Sequence, residues 1–143
     1  MVLPAGDVEC IPSTMLWYIA LGSAIGGVSR YLLGGVVQRL AGGAFPVGTL
    51  LVNVTGSFLL GAILRYSIDT PSLTPEVRAM LTVGFCGGYT TFSTFSYETV
   101  ALLEDGAWSR ASAYVVLSIG SSLIATLLGF VAARAVILLR ATA

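Results

Sequence analysis

The 143-residue chain is 56% hydrophobic and 10% charged, with a mean hydropathy of +0.91, a composition that excludes an ordinary soluble domain. Seven arginines balance seven acidic residues, which argues against nucleic acid as a partner. There is no histidine, and Cys10 and Cys86 lie far apart, so no transition-metal cluster or Cys/His nucleophile can be assembled. These features predict an all-α integral membrane protein that is not an enzyme.

The chain divides into a short amino-terminal lead, residues 1–13, and a membrane domain, residues 14–143. The lead contains Asp7 and Glu9 but no basic residue, so it lacks the positive region of a secretory signal. Runs with little or no charge, long enough at about 20 residues to cross a bilayer, predict four transmembrane helices at 14–37, 46–68, 78–103 and 111–139.

The predicted connections, residues 38–45, 69–77 and 104–110, are short, so consecutive helices should be antiparallel neighbours. The arginines are divided too evenly between the two sides to fix one orientation, which permits insertion in both directions. Segments 22–26 and 84–88 have the small-xxx-small pattern of closely packed helices. Because a tightly packed four-helix unit leaves little room for a pore, we expect a pore at the interface of a dimer.

The third predicted helix contains a segment that resists helix formation. Residues 84–96 are uncharged, yet they include Gly84, Gly87, Gly88 and several threonines and serines. Hydrocarbon cannot solvate a loosened backbone, so irregular structure at this depth is buried in protein or lines a polar cavity or ion site. The sequence therefore predicts a break in the third helix and a site beside it.

Polar residues recur on one face of two other helices at the spacing i, i+4. They are Thr49, Asn53 and Ser57 in the second helix, and Tyr114, Ser118, Ser122 and Thr126 in the fourth. A single serine or threonine could equally well bond a carbonyl of its own helix. Asn53 is harder to explain in this way, because its amide has two donors and two acceptors that are costly to leave unpaired.

Two aromatic and two charged side chains complete the candidate set. Phe92 and Phe95 lie i, i+3, a spacing that by itself favours ordinary packing. Ring edges carry positive potential, so they could also hold a small anion. Arg30 and Glu98 are the candidate charges inside the predicted helices, where charges are costly and usually functional. Anchoring of a helix end is the alternative for Arg30.

Three segments carry a resemblance to a known family. They are residues 26–31 (GGVSRY), 48–58 (GTLLVNVTGSF) and 84–95 (GFCGGYTTFSTF). On these motifs the chain resembles the CrcB/Fluc family of small fluoride channels over nearly all its length after the lead. The resemblance implies an antiparallel dual-topology homodimer in the cell membrane, with two separate passive fluoride pathways that lower cytoplasmic fluoride.

The resemblance also implies roles for individual residues. Phe92 and Phe95 would face the ion with their ring edges, and Asn53 would be the pore asparagine. A polar track would comprise Thr49, Glu98, Tyr114, Ser118 and Ser122. The break would hold a structural Na⁺ through the backbone carbonyls of Gly87 and Thr90 from both subunits.

Two other functions remain open from the residues alone. A small proton-coupled multidrug-type exporter would need a membrane-embedded carboxylate, for which Glu98 is the candidate. A non-transporting membrane scaffold would need only the small-residue packing segments, and it would leave Asn53 and the break unexplained.

Overall fold

A computed structural model describes residues 12–70 and 73–141, and the regular structure within these ranges is entirely helical, with no strand. The predicted lead lies outside the described residues except for Pro12 and Ser13. The helices are α1 (Ser13–Ala41), α2 (Val47–Asp69), α3 (Pro75–Ala79), α4 (Gly87–Tyr89), α5 (Phe92–Glu104) and α6 (Trp108–Ala141), and a π-helical segment, Met80–Cys86, joins α3 to α4. Within the described ranges, three helices are long and apolar enough to cross a membrane, namely α1, α2 and α6.

The third predicted crossing is divided into shorter pieces. The π-helical segment has 7 residues, α4 has 3 and α5 has 13, so none of them spans a bilayer by itself. Between α4 and α5, Thr90 (φ −84°, ψ 160°) and Thr91 (φ −151°, ψ 114°) have extended backbones. We call these two residues the interruption.

All three predicted connections are shorter than expected. The one predicted at residues 69–77 lies between Asp69, the last residue of α2, and Pro75, the first residue of α3. The helix α1 continues through Ala41 and ends at Gly42, whose φ of +63° is left-handed and therefore favours glycine. Gln38, predicted to lie in the connection, is helical. Its side-chain nitrogen donates to the carbonyls of Gly43 (2.9 Å) and Phe45 (3.1 Å), and its oxygen accepts from the Gly48 N–H (3.1 Å).

At the last connection, α6 begins at Trp108 and not at residue 111. Gly106 turns the chain with a φ of +69°. The Ala107 N–H donates to the Leu102 carbonyl (2.9 Å), which closes the turn directly after α5. The predictions for residues 38–45 and 104–110 were therefore too long, because α1 ends later and α6 begins earlier than the charges suggested. A glycine turn closes each connection, and the Gln38 side chain also bonds the first.

The two small-residue segments pack against each other within one chain. A Cβ added to Gly26 would overlap the Phe85 carbonyl oxygen, and one added to Gly88 would lie 2.7 Å from the Ser23 carbonyl oxygen. Residues 22–26 and 84–88 thus bring α1 against the π-helical segment at backbone contact distance. Close approach of these segments was predicted, and the structure confirms it.

The helices α2 and α6 make the second close contact. A Cβ on Gly129 of α6 would overlap the Phe58 carbonyl of α2, so these backbones also touch. Near the start of α6, a buried cluster of Phe95, Leu102, Ala111 and Tyr114 joins α5 to α6. This packing places the interruption beside the polar faces of α2 and α6.

Candidate functional site

A carboxylate is held by hydroxyls from two other helices. Glu98 of α5 accepts from the Thr49 hydroxyl through Oε1 (2.9 Å) and from the Tyr114 hydroxyl through Oε2 (2.6 Å). Tyr114 is fully buried. Hydrogen bonds to an ionised acceptor are stronger than neutral ones, so this contact fixes α2, α5 and α6 relative to one another.

The carboxylate lies at one side of a cavity of about 340 Å³, which we call the carboxylate cavity. Arg30 and Gln38 of α1 line it together with Thr49, Thr91 and Glu98. The structure therefore brings Arg30 and Glu98, the two candidate charges of the sequence analysis, to one cavity.

A second cavity, of about 260 Å³, lies beside the interruption, and we call it the phenylalanine cavity. Its lining comes from α2, the interruption, α5 and α6, and comprises Asn53, Ser57, Leu60, Thr90, Thr91, Phe92, Phe95, Ser118, Ile119 and Ser122. Five of the eight residues predicted for the ion pathway are in this set. Thr91 lines both cavities, so the interruption lies between them.

The two phenylalanines have different surroundings. Phe95 is only 9% exposed, and its ring centroid lies 5.2 Å from that of Tyr114. Phe92 is 77% exposed and contacts the Phe95 ring with a centroid distance of 5.6 Å. Packing thus accounts for the position of Phe95, whereas within this chain Phe92 has little packing to explain it.

The hydroxyls of α6 also divide into two kinds. The Thr126 hydroxyl donates to the carbonyls of Ser122 (3.0 Å) and Ser57 (3.4 Å), and Ser121 donates to the Leu117 carbonyl. The bonds to Ser122 and Leu117 join a hydroxyl to a carbonyl of its own helix, which was the alternative to an ion contact, and the bond to Ser57 ties α6 to α2. The Ser118 hydroxyl is buried near the Tyr114 hydroxyl and makes no well-formed hydrogen bond among the described residues, and Ser118 lines the phenylalanine cavity.

Asn53 bonds the backbone of the interruption twice. Its amide nitrogen donates to the Thr91 carbonyl (3.1 Å), and its amide oxygen accepts from the Thr91 N–H (2.7 Å). The sequence predicted that Asn53 needs partners but not which residue supplies them. Thr91 was missed. Its hydroxyl accepts from the Thr94 N–H (3.1 Å), so it is the N-cap of α5, and threonine is one of the residue types that favour this position.

The interruption deprives two carbonyls of their usual donors. In a continuous α-helix the N–H of residue i+4 bonds the carbonyl of residue i, so the Gly87 carbonyl would receive the Thr91 N–H and the Thr90 carbonyl the Thr94 N–H. These N–H groups donate instead to Asn53 and to the Thr91 hydroxyl. Carbonyl oxygens released in this way fit a hard monovalent cation. Thr90 lines the phenylalanine cavity, while Gly87 is exposed on the surface of the chain.

Comparison with known proteins identifies the family. Residues 17–130 match the sequence model described as "CrcB-like protein, Camphor Resistance (CrcB)". A protein of Geobacter sulfurreducens named "Fluoride-specific ion channel FluC" is 52% identical over 121 residues, which cover 85% of this chain and 98% of the relative. Proteins with the same name from Geotalea uraniireducens (82% and 95% covered) and Rhizobium meliloti (83% and 95% covered) are 50% and 45% identical. The chain therefore belongs to the CrcB-like family and is a multi-pass protein of the cell membrane.

Proposed function

We propose that this protein is a passive, fluoride-selective ion channel that lowers cytoplasmic fluoride. The observation that carries the proposal is the phenylalanine cavity, which is lined by the two phenylalanine rings of α5 and by Ser118 of α6, whose buried hydroxyl makes no well-formed hydrogen bond among the described residues. The relatives' name, fluoride-specific ion channel, supports the same function.

The cavity offers fluoride the contacts that it needs in place of water. Fluoride is small and strongly hydrated, so a narrow path must supply hydrogen-bond donors. Ser118 and Ser122 donate through their hydroxyls, and Asn53 has a second amide N–H beyond the one that bonds Thr91. The edges of Phe92 and Phe95 add weak positive potential, and contacts of this strength allow an ion to bind and leave.

Glu98 acts indirectly in this mechanism, because its negative charge repels fluoride. It holds the hydroxyls of Thr49 and Tyr114 in fixed positions at the carboxylate cavity. Arg30 lines the same cavity and offsets part of the negative charge there. The polar track thus begins at the carboxylate cavity and continues past Asn53 to Ser118 and Ser122.

The proposal includes an antiparallel dual-topology homodimer with two pathways. In each subunit, residues 75–104 make the third of four crossings as a broken helix. The large exposed fraction of Phe92 supports a partner surface at this point. A structural Na⁺ is held by the carbonyls of Gly87 and Thr90 from both subunits, and the loss of the helix donors of these carbonyls supports such a site.

The proposal is tested with the purified protein in liposomes, by measuring fluoride and chloride efflux with and without a proton gradient. A channel releases fluoride down its concentration gradient, releases chloride far more slowly, and needs no proton gradient. Transport that requires the proton gradient and is abolished in Glu98→Gln indicates the exporter alternative. Absence of flux from a correctly folded protein indicates a scaffold. Either result contradicts the channel.

A further inference from the structure

The interruption and the last residue of α4 are held by α2, which contacts Tyr89, Thr90 and Thr91. Asn53 bonds both backbone groups of Thr91, and the Thr55 hydroxyl lies 3.0 Å from the Tyr89 hydroxyl at the end of α4. A Cβ added to Gly56 would overlap the Thr90 methyl group. The interruption therefore packs against α2 through the Thr90 side chain, and Asn53 supplies the hydrogen bonds to its backbone.

These bonds determine which carbonyls stay available. Because the Thr91 N–H donates to Asn53, it does not donate to the Gly87 carbonyl, as it would in a continuous helix. The same bonds hold Thr91 extended, and in this position its hydroxyl accepts the Thr94 N–H. In a continuous helix the Thr94 N–H would donate to the Thr90 carbonyl, so this second bond leaves that carbonyl without its donor. The side-chain amide of Asn53 thus leaves both the Gly87 and the Thr90 carbonyls available.

We infer that Asn53 is a positioning residue for the cation site: it keeps the interruption open, so that the Gly87 and Thr90 carbonyls are available to a monovalent cation. The inference rests on the proposed sodium site and goes beyond it. It assigns to one side chain two tasks, donation to the anion in the phenylalanine cavity and preparation of the cation site. A change at Asn53 therefore alters both sites.

The test measures thermal unfolding of the full-length protein. The protein is extracted and purified in a buffer in which a large organic cation replaces Na⁺, and melting is then followed at increasing Na⁺ concentration and constant ionic strength. A ligand that binds only the folded state raises its stability by mass action. The melting temperature of the unchanged protein should rise with Na⁺, with a defined midpoint concentration. Asn53→Leu removes both bonds to Thr91, and we expect its midpoint at an Na⁺ concentration about tenfold higher or more.

The control is Ser57→Ala, one turn further along the same face of α2. Ser57 lines the same cavity as Asn53, but the two hydrogen bonds to Thr91 come from Asn53, so the Ser57 variant should keep the Na⁺ midpoint of the unchanged protein. If Asn53 only stabilises the fold, Asn53→Leu will melt at a lower temperature at every Na⁺ concentration and its midpoint will not move. That result overturns the inference, even if fluoride flux is lost.

Asn53→Asp provides a second test should the leucine variant fail to fold. It keeps an acceptor for the Thr91 N–H and loses the donor to the Thr91 carbonyl. Its added negative charge attracts cations, so its midpoint should be equal to or lower than that of the unchanged protein, and a higher midpoint contradicts the inference. If the unchanged protein shows no Na⁺ dependence but conducts fluoride, the sodium site and this inference both fail, and the fluoride pathway stands.

Discussion

The unpartnered hydroxyl of Ser118 gives the most direct test of the proposed ion path. Ser118 is 6% exposed, and its hydroxyl has no hydrogen-bond partner among the described residues. A buried polar group without a partner costs about 1–3 kcal/mol. Ser118→Ala removes this group and leaves the remaining packing in place, so we expect the variant to be at least as stable as the unchanged protein. At about 2–4 °C per kcal/mol, its melting temperature should stay level or rise by a few degrees.

Fluoride flux should change in the opposite direction. A hydrogen bond to a charged group contributes about 1.5–3 kcal/mol, and each 1.4 kcal/mol corresponds to about a tenfold change in binding. Water can occupy the space left by the hydroxyl and replace part of the contact, so we expect a loss near the lower end, about tenfold. The measurement is fluoride efflux from liposomes that contain equal amounts of protein, with melting curves of the same preparations.

Ser121→Ala is the matched control on the same helix. Its hydroxyl donates to the Leu117 carbonyl, one turn earlier, and Ser121 is not among the residues that line the phenylalanine cavity. This variant should conduct like the unchanged protein. The reasoning is refuted if Ser118→Ala conducts normally, or if its flux falls only as far as its stability does.

Two further predictions use pairs of similar residues. Phe92→Ile and Phe95→Ile should both reduce fluoride flux severalfold. Phe95→Ile should lower stability more, because Phe95 makes two ring pairs of about 0.5–1.5 kcal/mol each, whereas Phe92 is 77% exposed. Phe58→Ile is the control, and its flux should fall only as far as its stability does. Liposome efflux with melting curves checks all three variants, and normal flux in both Phe92→Ile and Phe95→Ile contradicts contact between the ring edges and the ion. Gly26→Ala places a methyl group against a backbone carbonyl, which should cost at least about 3 kcal/mol, whereas Gly27→Ala meets nothing within 4 Å; equal yields of monodisperse protein from the two variants would contradict this packing.

The interruption shows how much a local pattern can predict. Glycines and threonines in residues 84–96 weaken a helix wherever they occur, so the sequence indicated where the chain departs from regular structure. It did not indicate that Asn53, 38 residues away, bonds Thr91. That contact requires α2 to lie against the interruption, and the helix spacing of Asn53 defines only a face and not a partner.

The polar residues of α6 have the same limit. Their i, i+4 spacing placed Ser118 and Thr126 on one face, and sequence reasoning could not distinguish a hydroxyl that bonds its own helix from one that is available to a ligand. Only the packing of α2 and α5 against α6 made the Ser118 hydroxyl buried and unpartnered while Thr126 bonds two carbonyls. The sequence by itself determined that this is a helical membrane protein, because apolar runs of about 20 residues match the thickness of a bilayer, and in lipid a helix satisfies its own backbone hydrogen bonds. The tertiary structure decided which polar groups face a cavity, because hydrogen-bond partners from distant segments are fixed only when the helices pack.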